Sequence, residues 1–535
     1  MKVARTVAEV LRDHVTLETE SIDRMYLNAY VPQLQSVGGV VGYLHRHKGQ
    51  RFASTVAVAP MTEAFVRAID RFAQQQGVDV VHFEKCQRKD DVTRKYLARF
   101  QASEGVLYIG KAQEKARVMR TERRRNAGTG ASYPWIVAST AMVSHVYFYC
   151  VDQDFGPFFL KFCTYFPYNA KLCLNGNEYA KCQLRKRCIG FQALDNGVRC
   201  CDRPQALQKI CAGLDAAKID RLLRKWLARL PHPFGPQDRA NGCRYALSIL
   251  QAEFCLTQVL DQPVSGRVFF EDVIRENLDI GRPGQVQLIF ERRVSSRTPG
   301  RFRTRVITDG VTPSLHVDYK HSRIKQYHKQ GQALRTETTI NDTRDFALGR
   351  RLHNLAALRQ VGFNANRRLL DVQTISHDCA LGEADLQRHQ RPTQIDGQRA
   401  SALRFADARV QALMQALLLF VLLAHGFSHR DLREHLCSLL GLDPSQWRPG
   451  RITYDLRRLR LHGLIERIPT THRYRLTEHG LKTAMFYTRV YNRILRPGLA
   501  MLDPAAVDSN TPLHRRFTAM NDAINCWCDH AKLAA

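Results

Sequence analysis

The chain has 535 residues, 44% of them hydrophobic, and its 80 lysines and arginines outweigh 50 aspartates and glutamates for a net charge of +30. That apolar fraction excludes a disordered chain, and the length suits roughly two to four domains. The charge selects a polyanionic partner, nucleic acid before an anionic membrane, because neutralised phosphates give affinity that does not depend on sequence.

The N-terminal "MKVARTVAEVLRDHVTLETE" reads as a mixed-charge amphipathic helix without an apolar signal region. The longest apolar run, 416–424, is far short of the about 20 residues that span a bilayer. A cytoplasmic protein with no membrane partner is expected. The fifteen cysteines include no CxxC pair. Cys173, Cys182, Cys188, Cys200, Cys201 and Cys211 lack the short paired spacing of structural zinc sites, so reduced and mostly buried thiols are expected.

Residues 1 to about 50 look helical and then turn-rich, with a Gly pair and a basic tip in 33–50. Residues 61–83 read as an amphipathic helix stopped at Gly77 and then a strand. "EKCQRKDDV" is a polar loop feeding a second helix, and 105–125 read as strand, glycine and basic helix. Alternating strands and helices up to about 120 suggest an α/β layer. A basic, Gly-rich loop (120–135) precedes the hairpin "HVYFYCVDQDFGPFFLKF" (145–162). "EYAKCQLRKR" reads as a helix and 205–262 as mostly helical. Residues 266–345 return to strands, including "GQVQLIFERRV", and 346–372 are helical. No internal repeat is visible. The expected architecture is α+β and multidomain: an α/β domain (1–145), a central α+β domain (146–383) with a helical insertion near 205–262, a polar linker (384–401), a helical module with a hairpin (402–500) and a helical tail (501–535).

In that module, 402–426 form an apolar helix, Ser428 caps a second helix, and "RPGRITYDLRRLRLHGLI" gives a third, stopped by Gly463. "LIERIPTTHRYRLTEHG" then gives two short strands. This order resembles the winged helix-turn-helix DNA-binding domain. The resemblance implies a recognition helix in the major groove, with Arg451, Thr453, Tyr454, Arg457 and Arg458 on it, and Arg473 and Arg475 at the wing. Arginine suits guanine edges and phosphates.

The remaining 400 residues carry four stretches that suggest chemistry. The first is the hairpin, where Asp152 and Asp154 sit at the turn and Lys161 on the next strand. Restriction-type nucleases hold a divalent metal with such groups; an ordinary hairpin is the alternative. The second is "RIKQYHKQGQALRTETTIND" (323–342), which resembles a segment of rolling-circle replication initiators. That resemblance implies Glu337 as a ligand of Mg or Mn, with His316, Asp318 and His321 as candidate partners; a hairpin with an Arg–Glu pair is the alternative. The third is the loop bearing Glu84, Lys85, Arg88, Asp90 and Asp91, or else an acidic helix N-terminus. The fourth interleaves aromatics such as Tyr133, Trp135 and Tyr147 with Arg123, Arg124 and Arg125, a pattern that suits unpaired bases or a core.

Over its whole length the chain also resembles a large family of uncharacterised bacterial proteins, through "DRMYLNAYVPQLQ", "FGPFFLKF", "CLNGNEY" and "LRTETTIN". That family supplies an architecture and no activity. The leading expectation is a DNA-processing protein, a metal-dependent nuclease or nickase of mobile-element type using Asp152, Asp154, Lys161 and Glu337 on double-stranded DNA, with a homodimer as one arrangement. The alternatives are a non-catalytic winged-helix regulator, whose N-terminal region binds a ligand or partner, and an RNA-binding protein. No Walker-type phosphate loop is present.

Overall fold

Two segments that read as helical in the sequence are the strands on which the molecule is built. Val15–Tyr30 and Ala246–Leu260 lie antiparallel, in register from Ala246 opposite Tyr30 to Leu260 opposite Val15. The computed structural model describes residues 5–84, 87–278, 280–292, 294, 298–307, 313–375, 382–419, 426–443, 449–469, 471–495 and 512–530. It is an α+β chain around one eleven-stranded sheet.

The strands of that sheet are β1 (Val15–Tyr30), β2 (Val80–His82), β3 (Gly105–Arg125), β4 (Ser132–Asp152), β5 (Gly156–Cys163), β6 (Ala170–Asn175), β7 (Ala246–Leu260), β8 (Arg301–Ile307), β9 (Ser314–Lys320), β10 (Ser322–Lys329) and β11 (Ala333–Ile340). Their order across the sheet is β8-β9-β10-β11-β7-β1-β6-β5-β4-β3-β2. Every neighbouring pair is antiparallel except β2 with β3.

This order contains a repeat that the sequence hides. In the first half, β1 is followed by helices and then by the meander β3–β6, whose last strand pairs back with β1. In the second, β7 is followed by the helices Pro263–Glu276 and Pro283–Phe290 and then by the meander β8–β11, whose last strand pairs back with β7. β1 and β7 meet antiparallel at the centre, so the two halves are related by an approximate two-fold axis through the sheet.

Period-two alternation divides the sheet into a helix-covered face and a polar face. Phe148, Phe158, Phe162 and Phe254 point to the helices. Phe72 meets Phe148 edge-on, with centroids 6.1 Å apart; Trp226 meets Phe158 at 5.1 Å, Phe65 meets Phe162 at 5.8 Å and Phe363 meets Phe254 at 5.8 Å. Cross-strand neighbours on the other face are Tyr147, Lys161 and Lys171, then Phe159, Cys173 and Tyr26, then Cys255, Glu337 and Lys325. Helix Lys89–Arg99 covers one end of that face, through Thr93 to the Tyr108 hydroxyl at 2.8 Å.

One continuous core runs from Val7 to Ile375, so strands from both sides of the boundary expected near 145 belong to one unit. A second core spans Leu403 to Tyr487. It joins helices Ala408–Leu417, His429–Leu440, Pro449–Leu461 and Glu478–Arg489 with the hairpin Ile465–Arg467/Tyr474–Leu476, to which Phe427 adds a bridge with Tyr474. Ser428 caps its helix reciprocally: its side chain accepts from the Asp431 amide, and the Asp431 carboxylate accepts from the Ser428 amide at 2.8 Å. Part of the apolar helix expected over 402–426 (420–425), and part of the tail expected over 501–535 (501–511 and 531–535), lie outside the described residues.

Other expectations change. Val37–Lys48 is a helix, and 105–125 is a single strand instead of strand plus helix. "GQVQLIFERRV" supplies the helix Pro283–Phe290, and the polar linker is a helix, Glu383–His389, with a hairpin, Thr393–Ile395/Gln398–Ala400. Among the described residues no helix is long and apolar enough to cross a membrane.

Candidate functional site: a buried charge cluster at the centre of the sheet

The turn at 152–156 is held by a network that faces the helices. Asp152, 1% exposed, accepts from the amides of Asp154 and Phe155 at 2.8 and 3.2 Å, from Trp226 Nε1 at 2.8 Å and from Lys225 Nζ at 2.7 Å. Lys225 and Arg229 also bind Glu104, whose pKa they hold down at about 2 against the effect of burial. Asp154 pairs with Lys186 at the surface. Lys161 lies on the opposite face of the sheet, paired with Glu114. Burial lowers the Lys161 pKa although Glu114 opposes it, and Lys161 donation, together with that of Tyr147 and Lys89, holds Glu114 at about 2 despite its own burial.

The structure therefore does not bring Asp152, Asp154, Lys161 and Glu337 together. Lys161 is an odd number of residues beyond Gly156, the partner of Asp152, and odd offsets on a strand change face. Glu337 is on β11, five strand spacings from β4, or about 24 Å. The partners expected for Glu337 are committed elsewhere. Asp318 binds Arg303 and Arg305, His316 meets Ser314 at 3.0 Å, and His321 meets Asp345 at 3.3 Å. Among the described residues no group of three or more His, Cys, Asp or Glu side chains is placed to hold a metal. These residues do not fit the Mg or Mn centre that the resemblance implied. Asp152→Ala is expected to cost about 3 kcal/mol by leaving Lys225 and Trp226 without their acceptor, and Asp154→Ala less than about 0.5 kcal/mol. Urea denaturation of both variants checks this.

What Glu337 does join is a charge cluster at the pseudo-two-fold axis. Arg335 is fully buried; its Nη2 donates to Asp23 Oδ2 at 2.7 Å and its Nη1 to the Asn196 carbonyl. Its Nε lies 2.6 Å from Glu337 Oε1 in an ion pair, and that oxygen accepts a hydrogen bond from the Tyr327 hydroxyl at 2.9 Å. Asn177 and Asn196 both donate to Asp23 Oδ1, and Ser21 donates to Asn177 Oδ1 at 2.7 Å. The placement follows from a bulge. Between the pairs Met25–Ala252 and Ile22–Phe254, two β1 residues, Asp23 and Arg24, stand opposite the single Glu253, which re-aims the side chains there.

Asp23 and Glu337 share the Arg335 guanidinium, and Glu253 lies within reach of their charges and of Arg24. Burial first, and then the charges of Asp23 and Glu337, raise the Glu253 pKa from 4.5 to about 7. Burial raises Glu337 too, with Arg335 opposing and Asp23 adding to it. Burial, followed by the Glu337 charge, pushes the Tyr327 hydroxyl well up. Lys325 sits 4.3 Å above the Tyr327 ring. The arrangement can hold and exchange a proton near neutral pH at Glu253. Sequence reasoning found Glu337, with an Arg–Glu pair as its alternative role, but missed Asp23 and Glu253. The one signal for Glu253 was a lone carboxylate among the apolar and neutral residues of 246–260, while Asp23 stands in a run with Glu18 and Glu20 and had none.

The residues expected to meet DNA are divided. On helix Pro449–Leu461, Arg451, Thr453, Tyr454 and Arg457 are exposed. Arg458 is 6% exposed and turned inward, donating to the carbonyls of Ser401 and Ala402. Tyr454 binds Ser401 Oγ at 2.8 Å and Arg457 the Arg399 carbonyl at 2.7 Å, so the hairpin 393–400 lies along one side of this helix. Arg473 donates to the Gly426 carbonyl at 2.7 Å, and Arg475 pairs with Glu466 at 2.5 Å. Of the other stretches, Asp90 and Asp91 occupy the first turn of helix Lys89–Arg99, while Lys85 lies outside the described residues. Tyr147 is buried in an aromatic stack with Tyr149 and Tyr108. Comparison with family profiles, with curated protein sequences and with solved structures finds no match to this chain.

Proposed function

We propose that the chain is a DNA-binding protein whose C-terminal unit is a winged helix-turn-helix that docks helix Pro449–Leu461 in the major groove, on the scaffold of the basic two-fold sheet. The observation that carries this reading is the order of that unit. Helix His429–Leu440, helix Pro449–Leu461 and the hairpin ending at Leu476 share one core, and Arg451, Thr453 and Arg457 are exposed on the middle helix. Exposed arginines on such a helix suit base edges and phosphates. Arg458 is a positioning residue that ties the helix to 401–402, and is withdrawn from the contact set. The reading favours binding over cutting, as in a regulator whose large N-terminal region serves a ligand or partner.

Fluorescence anisotropy of the full chain with labelled duplexes tests it. Arg451→Ala with Arg457→Ala is expected to weaken binding by at least about tenfold, since each lost base-edge or phosphate contact is worth about 1–3 kcal/mol. Equal affinity of variant and wild type would overturn the docking helix. A second reading, DNA processing, is favoured by Glu253 alone, because a carboxyl near pKa 7 suits general acid–base work. Incubation of labelled single- and double-stranded DNA with and without magnesium or manganese, using wild type and Glu253→Gln, separates the two. Cleavage that the variant loses supports processing, and absence of cleavage in every arm leaves binding.

A further inference from the structure

We propose that the tip of the β3–β4 hairpin, residues 120–135, is a second DNA-contacting element, a basic ribbon that enters a groove of the duplex; this rests on the DNA-binding reading. β5 pairs with β4 from His145 to Asp152, so among the described residues β3 is the only strand partner of 132–144 in the sheet. The base of this ribbon is anchored: the Thr55 and Thr121 hydroxyls meet at 2.9 Å, and Met119 and Ile136 are the last buried side chains along it. Beyond them the pairs run from Glu122–Trp135 to Arg125–Ser132, about 13 Å of two-stranded ribbon at about 3.3 Å per residue. The chain turns at 126–131, where the Asn126 side chain accepts from the amides of Gly128 and Thr129. A two-stranded ribbon fits the major groove, which is about 12 Å wide and about 8.5 Å deep.

The charge on this prominence fits the same occupant. From 115 to 135 the sequence has six cations, Lys115, Arg117, Arg120, Arg123, Arg124 and Arg125, against one carboxylate, Glu122, a net of +5. All six are exposed. Glu122 is taken by Arg124 at 2.8 Å, and Arg124 lies 5.2 Å over the Trp135 ring, which stiffens the tip. Among the described residues no carboxylate pairs with Arg117, Arg123 or Arg125. Like charges held together without counter-charges repel one another, and phosphates relieve that repulsion. At its base the ribbon opens onto a cavity of 330 Å³ on the polar face, lined by Lys115, Arg117, His145, Lys161 and Lys171 beside Glu114, so the cationic path continues from the tip to the sheet.

The experiment is a salt titration of duplex affinity for three full-length proteins: wild type, Arg123→Ala/Arg124→Ala/Arg125→Ala, and a control, Arg71→Ala/Arg94→Ala/Lys95→Ala, that removes three exposed cations from other helices. The ribbon variant is expected to bind at least about tenfold more weakly. Its slope of log affinity against log salt should be shallower by about 0.9 per phosphate lost, up to about 2.7. The control should keep the wild-type slope. If wild type binds no duplex, the DNA-binding reading fails and this inference with it. If wild type binds and the ribbon variant matches it, or the control loses as much, the ribbon assignment is overturned while the DNA-binding reading stands. A loss confined to single-stranded DNA would also overturn it.

Discussion

Arg335→Ala is expected to destabilise the large sheet by roughly 3–5 kcal/mol, the range for removing one partner from a buried ion pair. The side chain is fully buried and serves Asp23, Glu337 and the Asn196 carbonyl at once. It reaches from β11 past β7 to β1, so it ties the second half of the pseudo-symmetric sheet to the first. Without it, Asp23 and Glu337 remain buried near Glu253, with Asn177, Asn196 and Tyr327 as their side-chain donors among the described residues. Arg335→Lys keeps the charge but loses the planar fork that serves several acceptors, so it should recover only part of the loss. Asp23→Asn combined with Arg335→Met should be less destabilised than the sum of the single changes, because one buried carboxylate fewer is left without its counter-charge. Urea denaturation followed by the fluorescence of Trp226, which is buried against β5 in the sheet core, reports this unit. A loss below about 1 kcal/mol in Arg335→Ala would show that the carboxylates are relieved by water or by protonation, and that the guanidinium is not needed.

Much of the outer framework was legible, and the centre was not, for identifiable reasons. The hairpin at 145–162, the four strands from 301 to 340 and the capped helix at 429–440 carry local signals: strict alternation, turn residues, and a Ser–Asp capping pair. β7 mixes apolar residues with Ser248, Gln251, Glu253, Thr257 and Gln258 without strict alternation, so periodicity does not mark it as a strand. β1 is misleading because its bulge at Asp23 and Arg24 shifts the alternation, so its charges fall at spacings that mimic an amphipathic helix. The long β3 looks like a basic helix because its partner β4 lies across a Gly-rich loop, and pairing is not a local property. The turn carboxylates were correctly placed at a turn. Their partners Lys225 and Trp226 come from a helix more than 70 residues away, which no local pattern announces. One fact was legible: the odd offset between Gly156 and Lys161 already placed Asp152 and Lys161 on opposite faces.

Glu253→Gln is expected to change the pH dependence of stability, in a direction set by the raised pKa. The folded carboxyl titrates at about 7 against an ordinary value of 4.5. Below pH 4.5 the proton is bound in both states and Glu253 carries no charge penalty. Between 4.5 and 7 the unfolded chain releases the proton while the native sheet keeps it, so stability falls as pH rises. Above 7 both states are ionised and the whole penalty is present, at most about 3 kcal/mol at 1.36 kcal/mol per unit. Glutamine keeps an oxygen to accept from Gln251 Nε2, which lies 2.9 Å from Glu253 Oε1, and never ionises. The variant should therefore gain on wild type progressively from pH 4.5 to 7 and hold a constant advantage above it, as read from denaturation midpoints at pH 4.5, 6, 7 and 8. Neighbouring Glu337 is raised in the same sense, so some downward slope should persist in Glu253→Gln. Parallel stability curves would mean that the proton near neutral pH does not reside on Glu253. They would also remove the observation that favours acid–base chemistry at the centre of the sheet, leaving the cluster as the structural tie between its two halves.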